Sequence, residues 1–168
     1  MSEGPAGWPD SRPEEPREQS ADPAPPPPDH EPAEPAHNAD THQLYQRGLD
    51  LLGRGSPAAA AQLLQRAAAA EPRSRSVLEA LARAQFDAGQ YAAAAGNFRL
   101  IVEASPSDDY AQFGLGLALA RTGDPGGAAE HLALAAAMRP NLRHYTDALR
   151  SVRATLRARR ETARGNPN

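Results

Sequence analysis

The chain has 168 residues, 17 of them proline, no cysteine and a formal net charge of −3. It has room for one domain and a tail, and disulfides, thiolate metal sites and cysteine nucleophiles are excluded. No apolar run approaches the ~18 residues needed to span a bilayer, and the N-terminus lacks the apolar stretch of a signal peptide, so a cytoplasmic location is expected.

Charge divides the chain into three. Residues 1–40 carry ten acids and two arginines, residues 41–138 nine acids and eight arginines, and residues 139–168 eight arginines and two acids. Lysine is absent. The two ends attract each other and the middle is nearly neutral.

The first segment reads as a disordered, acidic, proline-rich arm over residues 1–40. Eleven prolines fall there, including Pro25–Pro28, and only Trp8 has the bulk to anchor a core. Such a composition buries too little surface to offset its ordering entropy. It serves as a solubilising tail or as a ligand for an aromatic-lined groove.

From Thr41 the pattern is helical. Asp40 is placed to cap a helix over 41–54, and Ser56 to cap a second one with Pro57 at its first position, where a missing N–H costs nothing. Helices follow near 75–88 and 91–104, separated by Gly89, then near 108–122 and 125–138, where Asp124–Pro125 repeats the Ser56–Pro57 device. Asn141 is then placed to cap a longer helix to about Arg164, and 165–168 reads as a short tail.

One period runs through these elements. Pro72, Pro106 and Pro140 stand 34 residues apart, as do Gly55, Gly89 and Gly123; Gly48, Ala82 and Gly116; Ala60, Ala94 and Ala128; and Leu64, Phe98 and Leu132. The small residues permit close helix crossing, the large ones fill the space one turn on, and Ala67, Ile101 and Ala135 close the contact with the next unit. A period of this length marks an all-α, right-handed helix–turn–helix solenoid, which offers a surface rather than a catalytic pocket. Repeats are expected over 41–74, 75–108 and 109–142, with a capping helix over 142–164.

The pattern resembles the tetratricopeptide repeat. Leu81–Ala82, Gly89, Tyr91, Ala94, Phe98, Ile101 and Pro106 carry the resemblance best, followed by Leu115–Gly116, Gly123, Ala128, Leu132, Ala135 and Pro140. The first unit is looser, with Arg47 where leucine is usual, and no unit has the family's tryptophan. The resemblance implies a concave face, lined by the first helix of each repeat, that receives an extended peptide or a partner's helix. Carried over step by step, that face comprises Tyr45 and Leu49; Glu79, Arg83, Phe86 and Asp87; and Tyr110, Phe113, Leu117 and Arg121. Aromatics beside arginine make a binding hot spot, while Phe86 and Phe113 also fit packing between repeats. Chaperone cofactors of this family clamp a C-terminal carboxylate with Lys, Asn and Arg. The corresponding steps here hold Tyr45, Leu49, Tyr110 and Gly114, so the resemblance implies a different ligand.

On the last helix, Tyr145, Leu149, Val152 and Leu156 lie at helical spacing to cover the solenoid end. Arg150, Arg153, Arg157 and Arg160 occupy the other side. They suit a solvated face, a dock for the acidic arm, or a nucleic-acid or anionic-surface patch; aromatics for base stacking are missing.

No catalytic constellation emerges, and no enzyme activity, metal or cofactor is expected. Gly114-Leu-Gly116 superficially matches a dinucleotide loop, but it falls inside a helix with no preceding strand. His30, His37 and His42 lack an ordered acid or thiol nearby. His131 beside Glu130 reads as an exposed pair, and His144 and Asp147 as a helix-terminal pair. The sequence therefore favours a monomeric, non-enzymatic adaptor with a protein or peptide partner. The alternative is a nucleic-acid or anionic-surface binder acting through the basic helix.

Overall fold

In the computed structural model, which describes residues 35–165, three turns of one design set the architecture. Gly55, Gly89 and Gly123 have φ of 73°, 78° and 91°, the left-handed region that side chains disfavour. Each glycine ends a helix, and the next residue's N–H reaches back to a carbonyl of its last turn: Ser56 to Leu51 at 2.9 Å, Gln90 to Gln85 at 2.7 Å, Asp124 to Leu119 at 3.0 Å. The chain reverses after each one.

The helices are α1 (Pro35–Gly53), α2 (Pro57–Ala70), α3 (Arg75–Asp87), α4 (Tyr91–Ala104), α5 (Asp109–Arg121), α6 (Pro125–Met138) and α7 (Arg143–Gly165). No strand occurs among the described residues. Each helix packs on the next in sequence, and α1, α3, α5 and α7 also touch in succession. The result is a helix–turn–helix solenoid of three pairs closed by α7.

Three capping expectations are corrected. α1 begins at Pro35, so Asp40 lies inside the helix and residues 35–40, read as the end of the arm, are helical. Proline suits a first helical turn and moves the start upstream. Ser56 is the N-cap residue of α2 but its side chain makes no capping bond, leaving Pro57 to pre-set the entry. α7 starts at Arg143 rather than after Asn141, because part-buried Leu142 lies at the step that Ser74 and Asp108 hold in the earlier repeats. The remainder of the arm, with Trp8 and Pro25–Pro28, lies outside the described residues, as do 166–168.

The period becomes packing. A Cβ on Gly48 would lie 2.6 Å from Leu64 Cγ, and one on Gly116 2.7 Å from Leu132 Cγ and 3.1 Å from the Ala128 carbonyl oxygen. These glycines let each pair's backbones approach, while Leu64, Phe98 and Leu132 are wholly buried. Ala67, Ile101 and Ala135 are buried where the next repeat begins. Tyr145, Leu149 and Val152 bury one face of α7, with Leu156 partly covered. Gly114 is buried under the Phe98 ring in α5, so close packing accounts for the Gly114-Leu-Gly116 motif.

Candidate partner-binding groove

Because helices one repeat apart run the same way, residues 34 positions apart fall in rows across α1, α3 and α5. One row is Tyr45, Glu79 and Phe113; the next, Leu49, Arg83 and Leu117. Tyr45, Leu49, Glu79, Arg83 and Tyr110 converge in one cleft of about 150 Å³, together with Leu52, Arg75, Ser76 and Ala80. Half of the expected groove residues therefore share one site. Ser76 was missed in the sequence although it stands 34 residues before Tyr110; a small residue gave no sign of standing in the aromatic's row.

The cleft is nearly charge-balanced. Arg75 Nη2 lies 2.5 Å from Asp108 and 3.3 Å from Glu79. Arg83 Nε is 3.9 Å from Asp87, too long for a hydrogen bond, and is buried without a hydrogen-bond partner. Leu49 is 36% exposed at the rim. Tyr45, Leu49, Leu52, Ala80 and Tyr110 line the cleft together with Arg75, Ser76, Glu79 and Arg83, and polar atoms make up most of its exposed surface.

Burial first, then the Glu79 carboxylate, raise the Tyr45 phenol above its ordinary 10.0. Both disfavour phenolate, so the hydroxyl remains a neutral donor at physiological pH, and the stability tied to that neutral state is lost as pH rises through the raised value. In Glu79→Gln, NMR of ring-labelled tyrosine should show Tyr45 titrating closer to 10, though not fully back, since burial remains.

The other expected groove residues, Phe86, Asp87, Phe113, Leu117 and Arg121, do not line this cleft. Phe86, Tyr110 and Phe113 are buried rather than exposed. Phe86 meets Tyr91 edge-on at 5.1 Å, and the Arg121 guanidinium covers both rings at 5.9 and 5.3 Å while donating to the Tyr91 hydroxyl at 3.3 Å. Phe113 stacks on Tyr145 of α7 at 4.4 Å and 23° and meets His144 edge-on at 5.3 Å. Both phenylalanines join neighbouring elements. Tyr110 keeps an edge on the cleft while packing edge-on to Phe98. Leu117 is half-buried, and Asp87 is held by Arg83.

Two histidine readings also change. His131 is half-buried, its Nδ1 lies 2.7 Å from Gln112 Oε1, and burial pushes its pKa down. His144 turns its ring onto Phe113 and Tyr145, its Nε2 is buried without a partner, and burial lowers its pKa. Asp147 pairs instead with Arg150 at 2.6 Å. Among the described residues no three His, Cys, Asp or Glu side chains converge to hold a metal, and no helix is long and apolar enough to cross a membrane. His42 is exposed, and His30 lies outside the described residues.

Arg150, Arg153, Arg157 and Arg160 are all exposed; Arg150 and Arg157 lie away from the packed face of α7, whereas Arg153 and Arg160, four residues after Leu149 and Leu156, flank it.

The tetratricopeptide repeat profile matches residues 45–109 and again 80–143. No curated protein matches the chain. Among solved structures, the first tetratricopeptide domain of Spaghetti (RPAP3) bound to the HSP90 peptide SRMEEVD aligns with a TM-score of 0.65 and 20% identity, over 70% of this chain and 94% of that one. The Sgt2 domain from Aspergillus fumigatus aligns at 0.65 and 23%, over 76% and 85%. The second domain of human RPAP3 in complex with the HSP70 peptide SGPTIEEVD aligns at 0.64 and 16%, over 70% and 98%.

Proposed function

Because the chain belongs to the tetratricopeptide repeat family, we propose that it is a non-catalytic interaction module whose cleft between α1, α3 and α5 holds an extended peptide or a partner's helix. The observation that carries this reading is the convergence of Tyr45, Leu49, Glu79, Arg83 and Tyr110 from three helices into one cleft. A site assembled across repeats reads a linear segment, since each repeat contributes the same rows to successive stretches of it.

The chemistry selects the ligand. Arg75 is engaged by Asp108 and Glu79, which leaves Arg83, whose Nε has no hydrogen-bond partner, as a single cationic donor among the described residues of the cleft rather than a multi-cation clamp for a terminal carboxylate. Tyr45 and Leu49 offer apolar contact, and the Tyr45 hydroxyl offers a hydrogen bond. The favoured partner is therefore a mixed segment with an apolar side chain and a hydrogen-bond acceptor, in place of the acidic peptides SRMEEVD and SGPTIEEVD that the two RPAP3 domains hold.

Peptides selected from a display library against the full chain test this. Leu49→Ala and Arg83→Ala should each weaken the selected peptide by about 1–3 kcal/mol in a calorimetric titration with helicity unchanged. Gln65→Ala, exposed on α2, should leave affinity within ~0.5 kcal/mol. Equal losses from Gln65 and Arg83 would place the binding face elsewhere.

A second reading rests on the exposed arginines of α7. Binding of phosphates there would fall steeply between low and moderate salt, whereas binding in the cleft would respond weakly.

A further inference from the structure

Arg150 stands 34 residues after Gly116, and thus in the row of Gly48, Ala82 and Gly116. In the first and third repeats the second helix presses so closely on that glycine that a Cβ has no room. On α7 the same step bears a guanidinium and is exposed. The face that would otherwise pack a partner helix is thus converted to an arginine surface. Arg143, Arg150, Arg157 and Arg164 recur every seven residues, and Arg153 and Arg160 form an adjacent column. Seven residues advance a helix by about 10.5 Å, so the columns present cations at nearly even steps.

We infer that this face is an interaction surface for an acidic extended segment, and that its occupant is residues 10–22 of the same chain. Three observations on charge and length support the choice, independently of what the cleft binds.

The first is sign. Residues 1–34 carry nine acids and two arginines, while α7 carries seven arginines and two acids. The second is spacing. Asp10, Glu14, Glu18 and Asp22 recur every four residues, a step of about 12 Å in an extended chain, close to the column step. The third is reach. α1, α3, α5 and α7 touch in succession and run the same way, so their N-termini share one edge. At roughly 10 Å per helix, α7 lies about 30 Å from α1. Residues 23–34, half of them proline, span up to about 37 Å at ~3.1 Å per residue. The proline stretch is therefore long enough for the acids to reach the Arg143 end of α7.

Tethering keeps the segment at an effective concentration of order millimolar, which populates even a weak contact. Its ion pairs are exposed and screened, so the contact belongs to low and physiological salt and is lost by about 0.5 M.

The chain contains no cysteine, so a nitroxide on full-length Ser20→Cys is unique. At low salt it should broaden amide signals of residues 150–160 several-fold more than those of α3 and α4. The effect should vanish at about 0.5 M salt and in the full-length Arg150→Gln/Arg153→Gln/Arg157→Gln/Arg160→Gln variant, whose helicity should be unchanged. Neutralising the arm (Asp10→Asn, Glu14→Gln, Glu18→Gln, Asp22→Asn) should tighten binding of a single-stranded DNA oligonucleotide to this face by about threefold or more. The proposal is overturned by broadening centred on Tyr45 and Arg83, by broadening confined to α1, or by broadening seen only between separately labelled chains. Oligonucleotide affinity indifferent to the arm's acids overturns it as well, and leaves α7 as a phosphate-binding face.

Discussion

Phe98→Ala is expected to lower the stability of the solenoid by about 3–5 kcal/mol and its melting temperature by roughly 10–20 °C. The ring is wholly buried and occupies a place made for it in a neighbouring helix. Leu64 and Leu132, at the same step of their repeats, press on Gly48 and Gly116 within their own pairs. Phe98 reaches further: a Cβ on Gly114, in the next repeat, would come within 2.5 Å of its Cζ. The ring also packs edge-on to Tyr110, with centroids 6.5 Å apart. It thus links α4 to α5, and its removal opens a cavity at the contact that joins two repeats. The reciprocal lesion, Gly114→Ala, should overpack the slot and cost about 1–3 kcal/mol. Combined with Phe98→Leu it should cost less than the sum of the two, because the shorter side chain vacates the space that the new methyl needs. Chemical denaturation of the two single variants and the double variant measures this coupling; strict additivity would mean that the ring does not sit on Gly114.

The same row explains how far the sequence could be read. The period located the helices to within a residue or two from α2 to α6, because the turn glycines and small crossing residues have steric causes visible in one dimension. The family resemblance, carried over step by step, also brought Tyr45, Glu79 and Phe113 onto the expected concave face. It did not tell which members face solvent, because that depends on what the next first helix presents. Tyr45 meets the Glu79 carboxylate and keeps part of its surface open. Phe113 meets Tyr145 and His144, and its ring is taken into the stack. Phe86 was similarly claimed by Tyr91 and Arg121, residues of two other helices. The start of α1 escaped for another reason. Acidic and proline-rich composition argues against a packed core, but Pro35 still fits a helix's first turn, and a few residues can extend a helix whose packing lies further along. The aromatics of the repeat joints and of the cleft share one residue type, so only the three-dimensional neighbours separate stability from recognition.

Asp108 gives the second large expectation. Its Oδ1 accepts the Ala111 N–H at 3.0 Å and so caps α5, while its Oδ2 takes the Arg75 guanidinium at 2.5 Å across the mouth of the cleft. Its side chain is only 4% exposed, against 44% for Arg75. One carboxylate thereby fixes the start of α5 and ties it to the start of α3. Asp108→Ala should cost about 2–3 kcal/mol: roughly 1 for the cap, and the rest for the lost charge-assisted bond. Arg75 can turn to water, so the full penalty of an orphaned buried charge does not apply. Asp124 supplies the comparison. It caps α6 through the Gly127 N–H at 3.0 Å but is exposed, so Asp124→Ala should cost no more than a cap, about 1 kcal/mol. Asp108→Asn separates the two roles, because asparagine caps as well as aspartate while giving up the ion pair. It should recover about 1 kcal/mol relative to Asp108→Ala. It should also release Arg75 to Glu79 alone, so the peptide selected for the cleft should change affinity in Asp108→Asn and not in Asp124→Ala. Equal destabilisation by Asp108→Ala and Asp124→Ala in urea titrations would show that Asp108 is a cap and nothing more. A larger loss at Asp108, partly restored by asparagine, would show that the wall of the cleft and the joint between the second and third repeats rest on the same carboxylate.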